Sequence, residues 1–384
     1  MVIAVSALCS GAFRADADTY VQTNLASDIP GLATVTDPLL VNTWGLVSSA
    51  AGSPFWISNQ GTNTSTLYAV TGATNVSKVT AVNAQGFVGI PTTVTGPQGP
   101  TGIVSNANTA AFQLVPGTPT TSARFIFANL NGTISGWAGG LTSTIQVTTP
   151  GALYTGLAID SATTGTRLYA ANGAGTGSIN VFGSNFAPLS LPGNFTTPNL
   201  PAGFVPFNVQ TLNGQVYVTY APAGRPNQIG ALPGQGIVSV FDQNGNFVRQ
   251  LITGGPLAAP WGLALAPASF GQFANDLLVG NFSSVASGIN AFNPNTGMFE
   301  GMIPINVGLG NTAGGLWALF FGNGGNGGDP NTLYFTDGID GEAHGLFGAI
   351  QNTPLPGALP LFATGLGALA LLGWKRKRKA QAAA

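Results

Sequence analysis

The sequence predicts an all-β fold, a six-bladed β-propeller closed by an N-terminal strand, with a C-terminal transmembrane helix beyond it. Three observations predict it. The composition suits strands and turns, with 56 Gly and 26 Pro among 384 residues and only 6% charged side chains. A short apolar run ending in a polar residue recurs six times. Near the C-terminus, 20 residues without a charge lead into a basic run.

Charged residues ordinarily make up about a quarter of a soluble domain, so solubility here falls to Gly, Ser, Thr and Asn, which favour turns over helices. The formal net charge of −1 hides segregation. Between the two termini the only basic residues are Lys78, Arg124, Arg167, Arg225 and Arg249, against eleven acids. Such a body has no electrostatic footprint for nucleic acid. The single cysteine, Cys9, lies in a segment expected to be removed on export, which leaves packing rather than disulfides to stabilise the mature chain.

The six repeated runs are Phe55–Asn59, Phe125–Asn129, Leu168–Asn172, Val216–Tyr220, Leu277–Asn281 and Leu333–Asp337. Their starts lie roughly 43 to 70 residues apart, about the spacing of propeller blades with variable loops. Ahead of them stand Trp44-Gly45-Leu46, Thr101-Gly102-Ile103, Thr155-Gly156-Leu157, Phe207-Asn208-Val209, Trp261-Gly262-Leu263 and Leu316-Trp317-Ala318. Glycine there fits close packing around a crowded axis. A third strand follows most copies, as in Gly236–Phe241, and a fourth follows in places, as in Phe247–Leu251. Four short strands joined by hairpins make a blade. The last unit stops at a third strand, Gly345–Ile350, and Tyr20–Leu25 is a spare strand expected to complete it and close the ring.

The domain reading is a signal peptide over 1–17, a propeller over 18–350, and a sorting segment over 351–384. Val2 to Phe13 has the length of a signal core, and Ala15-Asp16-Ala17 places small residues where signal peptidase reads them, although a positive n-region is absent. At the other end, Leu355 to Trp374 is long enough to cross a bilayer as a helix. Trp374 marks the interface, and Lys375, Arg376, Lys377, Arg378 and Lys379 are expected to stay cytoplasmic.

Pro354-Leu355-Pro356, the apolar helix and the basic run, in that order, resemble the PEP-CTERM sorting signal read by exosortases. Thr353–Leu361 is closer to the subgroup written Val-Pro-Leu-Pro-Ala, with Thr353 and Gly357 departing from it. The resemblance implies an exosortase-type processing enzyme as partner. It also implies anchoring in the inner membrane during sorting, and a final place on the outer surface or in the extracellular matrix of a Gram-negative bacterium that makes exopolysaccharide. Asp37–Gly45 followed by Pro54–Asn59 is similar to the opening of a family of NHL-like bacterial propellers, which implies the fold but no activity.

Signals for chemistry are sparse. The recurring Asn59, Asn129, Asn172, Asn281 and Asp337 read as Asx-turns bonding backbone amides. A ring of oxygen ligands is the competing reading, weakened by its single carboxylate. Asp337, Asp340 and Glu342 are candidate Ca²⁺ ligands, though the spacing of a calcium loop is missing. His344 reads as a polar turn residue, and Gly322–Gly328 as a connection without the Lys-Ser/Thr of a phosphate loop. The favoured function is a non-enzymatic binding or structural module associated with exopolysaccharide, needing no cofactor, with exposed Trp and Tyr expected to stack on sugars. The alternative is a calcium-dependent lactonase-like hydrolase. Such lactonases share the six-bladed shape but carry an early metal-binding Glu, whereas the first Glu here is Glu300.

Overall fold

The computed structural model describes residues 19–353, apart from 51, 81–84, 94–95 and 163–164. Six sheets stand around one axis, antiparallel except for a short parallel pairing of Ala26 and Ser27 with Val35 and Thr36. Each opens with an inner strand: Thr43–Val47, Pro100–Ser105, Tyr154–Ala162, Phe204–Leu212, Pro260–Leu265 and Leu316–Phe321. The repeated apolar runs form the second strands, and a third strand follows in every blade.

The inner strands explain the glycines ahead of each repeat. All six carry a register irregularity where the strand bends past its neighbours. A Cβ added to Gly45 would lie 2.5 Å from Thr101 O, and one on Gly102 would lie 2.3 Å from Leu157 N. One on Gly262 would lie 2.3 Å from Trp317 O. Neighbouring backbones therefore touch where any side chain would hold them apart. The fourth blade has Asn208 instead, whose Nδ2 donates to Trp261 O at 2.8 Å and ties it to the fifth. Between the sixth blade and the first, Thr336 Oγ1 donates to Trp44 O.

The ring closes as the spare strand predicts. Thr19–Ser27 runs antiparallel to Leu346–Thr353 along its length, with Thr19 opposite Thr353. Tyr20 reinforces the closure by donating its hydroxyl to Phe270 O at 2.7 Å and stacking on Phe273. His344 Nδ1 meets Asp28 Oδ2 at 2.6 Å, so this polar turn residue ties the closing strand to the sixth blade. Asp37, fully buried, receives the Tyr68 hydroxyl and lies 2.8 Å from Lys78 Nζ, which fastens the same segment to the first blade. Burial and the adjacent Asp37 carboxylate push the Tyr68 hydroxyl well above its ordinary pKa, so it stays a donor.

Two expectations need correction. The third blade has three strands, Tyr154–Ala162, Gly165–Asn172 and Ser178–Phe182, rather than four. The chain after it pairs only briefly, at Phe182 with Pro188, and then bonds to the fourth blade through Gly193 N to Asn244 O and Phe195 N to Gly245 O. The propeller also extends past residue 350, because the strand Leu346–Thr353 includes Thr353, read above as the start of the tail.

Ala15, Ala17, the Pro354-Leu355-Pro356 motif, the predicted transmembrane helix and Trp374 to Lys379 lie outside the described residues. Among the described residues no helix is long and apolar enough to cross a membrane.

Removing Thr19–Leu25 should open the ring and replace one cooperative melt with an earlier, broader one; an unchanged melting curve would show that this strand does not close the fold. Gly102→Ala should cost about 1–3 kcal/mol by overpacking. Gly183→Ala serves as its control in chemical denaturation, since its added Cβ meets nothing nearer than 3.5 Å.

Candidate functional site

The face where second strands end and inner strands begin is where the loops converge on the axis. Residue 225 enters there from helix α1 (Arg225–Ile229), in the link between the second and third strands of the fourth blade. Gly224 at φ 88° turns the chain into the helix, and Pro226 suits its first turn. Glu342 comes from the matching link of the sixth blade. It holds φ 74°, and Asp340 beside it φ 55°. A non-glycine residue in the left-handed region carries strain, which persists where surrounding structure imposes it.

Arg225 and Glu342 meet above the axis. Nε donates to Oε2 at 2.9 Å and Nη2 donates to Oε1, giving a two-point fork. The guanidinium lies over three rings, with Cζ 4.1 Å from the centroid of Phe282, 4.7 Å from Trp317 and 4.9 Å from Trp44. These rings form one packed plug. Trp44 stacks on Trp317 at 3.5 Å, Phe282 stacks on Trp317 at 4.4 Å, and Trp261 meets Trp317 edge-on at 5.6 Å. Burial pushes the Arg225 pKa down to about 9, which still leaves it charged at neutral pH.

Beside this fork lies a cavity of about 390 Å³, walled by Pro97, Leu130 and Leu153 and edged by Asn42, Gln60 and Gln228. Asn42 and Gln60 are fixed: Asn42 donates to Gln60 Oε1 at 2.7 Å, Gln60 donates to Gln98 O, and Trp317 Nε1 donates to Asn42 Oδ1. Two other polar groups on residues lining the cavity, Arg225 Nη1 and Trp44 Nε1, are buried without partners among the described residues. Gln228, only 6% exposed, adds its side-chain amide to the lining. Buried donors are nearly always satisfied in folded proteins, so this concentration marks a site.

The residues singled out from sequence separate in the structure. Glu342 serves Arg225, while Asp340 Oδ1 accepts from Thr312 N. Asp337 is fully buried, with no partner on either oxygen. Among the described residues no group of three or more His, Cys, Asp and Glu could hold a metal ion. The other Asx side chains bond inside their own blades. Asn172 accepts from Ala174 N in an Asx-turn, whereas Asn281 accepts from the distant Ala258 N, and Asn59 and Asn129 donate to threonine hydroxyls. The five described Trp residues are all buried, as are six of the seven Tyr, so aromatic side chains form packing rather than the expected exposed platforms. Arg225 and Gln228 escaped notice in the sequence; the available signal was an arginine isolated in a nearly uncharged body.

No family model matches the chain. Uncharacterized protein R648 of Acanthamoeba polyphaga mimivirus is 30% identical over 339 residues, covering 85% of this chain and 78% of that protein. The chain belongs to the R648 family. Uncharacterized protein L690 of the same virus is 28% identical over 344 residues, covering 86% of each. Among solved structures, a glucose dehydrogenase aligns with a TM-score of 0.48 at 12% identity, covering 87% of this chain and 100% of that one. A gluconolactonase of Xanthomonas campestris aligns with a TM-score of 0.36 at 13% identity, covering 60% and 83%. Similarity at this level transfers no activity to this R648-family chain.

Asp337 supplies a test within this family fold. Burial raises its carboxyl well above the ordinary value. The unfolded chain therefore releases that proton first, and the stability Asp337 contributes is full in acid and declines as pH rises through the carboxylate range and beyond. Asp337→Asn removes this dependence. Its melting temperature should gain on the wild type between pH 4 and pH 8, by roughly 2 °C or more for each kcal/mol relieved; a difference that does not change with pH would exclude a proton held at Asp337.

Proposed function

We propose that this protein is an exported, non-catalytic propeller whose axial pocket binds a saccharide unit of envelope or matrix polysaccharide. The observation that supports the reading is the pair of unpartnered buried donors, Arg225 Nη1 and Trp44 Nε1, on residues that line one concave site together with Gln228. Binding sites of this kind combine mostly apolar walls with a few placed polar groups, and Pro97, Leu130 and Leu153 supply the walls. Sugars need both, because their hydroxyls seek hydrogen bonds while their C–H faces lie on apolar surface. The edge of Trp44 at the cavity takes the part first expected of exposed aromatic residues.

Delivery is the second half of the proposal. The Pro354-Leu355-Pro356 motif, the uncharged run to Trp374 and the basic residues Lys375 to Lys379 form an address read by an exosortase-type enzyme. The membrane holds the chain during sorting, and the body then stands outside the cytoplasm.

A thermal-shift screen against neutral and acidic oligosaccharides, Ca²⁺ and lactones tests the binding reading. An oligosaccharide should raise the melting temperature, and the rise should vanish in Arg225→Met. A Ca²⁺-dependent shift accompanied by lactone turnover would replace this reading with a hydrolase. Mass spectrometry of the native C-terminus tests delivery: a terminus between Pro354 and Ala358 is expected, and an intact Ala384 would reduce the tail to a membrane anchor.

A further inference from the structure

We propose that the axial pocket selects a neutral acetamido group, as on an N-acetylated amino sugar. This inference rests on the reading of the pocket as a saccharide site and specifies what that site recognises. Arg225 Nη1 and Trp44 Nε1 can only donate, so a ligand atom that satisfies either must be an acceptor. Gln228 brings a donor and an acceptor together on one planar amide, which matches the N–H and C=O of a ligand amide.

Charge decides between a carbonyl and a carboxylate. Glu342 already neutralises Arg225 through two of its three nitrogens. A ligand carboxylate would therefore meet an ion pair with no net charge and stand against Glu342 in a poorly solvated space, where repulsion is weakly screened. A carbonyl oxygen takes the same donors without that repulsion. The methyl of an acetamido group then has Pro97, Leu130 and Leu153 to pack against. The Arg225 side chain keeps 31% of its surface open, so a small rocking of the guanidinium within the Glu342 fork presents Nη1 to the ligand.

The experiment is isothermal titration of the purified full chain with N-acetylglucosamine, glucose and glucuronate, and with N-acetylalanine methylamide as a peptide probe. N-acetylglucosamine should bind at least tenfold more tightly than glucose and than glucuronate. Gln228→Leu and Gln228→Met, which remove the amide at similar side-chain volume, should each lose at least fivefold in that affinity while melting like the wild type. Tighter binding of glucuronate overturns the neutral-acceptor inference, as does equal binding of glucose or an unchanged Gln228→Leu. Preference for the methylamide would assign the pocket to peptide instead. If no sugar binds at all, the saccharide reading fails with it, which separates the two failures.

Discussion

Trp44 stacked on Trp317 is the contact on which the axis depends. A ring of six sheets tends to leave a hole where its inner strands converge. Here the hole is filled at one level by indoles from the first, fifth and sixth blades, with Phe207 and Phe282 against them. Aromatic groups fill such a space with large buried area and few rotatable bonds. Trp261 adds a link across the axis, donating Nε1 to Thr155 O at 2.8 Å. The plug also divides the axis. Below it remains a cavity of about 170 Å³ bounded by Gly45, Gly102, Leu157 and Asn208, and above it lies the pocket with Arg225 as part of its floor.

Arg225 shows how a charge can be kept in such a place. Desolvation opposes it, and the lowered pKa records that opposition. The fork with Glu342 and the faces of three rings offset the cost, since cation–π contacts contribute about 0.5–2 kcal/mol each and more where water is excluded. A pair held this way closes the fourth blade on the sixth, two units that share no sheet.

The ring itself was legible because its requirements are local. Close approach at the axis demands glycine at Gly45, Gly102, Gly156 and Gly262, and strand pairing demands the short apolar runs. The closing strand was legible as a leftover, since the sixth unit was one strand short. The pocket was not legible. Arg225 and Glu342 lie 117 residues apart, and only the geometry of the closed ring makes them neighbours. The same holds for Asp337. It occupies the position of Asn59 and Asn129, but those face Thr64 and Thr133, whereas Asp337 faces Leu346. A repeat alignment shows the carboxyl as the odd member and gives no sign that its oxygens are left without partners. The missing strand of the third blade was hidden for another reason, because the chain there keeps the Pro, Gly and Asn of a turn region while bonding to the next blade.

The pairing of Thr19 with Thr353 has a mechanical consequence. Both strand ends lie on the face opposite the axial pocket, at the rim of the sixth blade. A pull between the pocket face and the strand end at Thr353 runs along the strand Leu346–Thr353, which is flanked by partners on both sides. The load then acts in shear, stretching many backbone hydrogen bonds at once. A pull between the two ends themselves would open the same pair one bond at a time. The closure is thus strong toward force transmitted through the molecule and weak toward force that separates its ends.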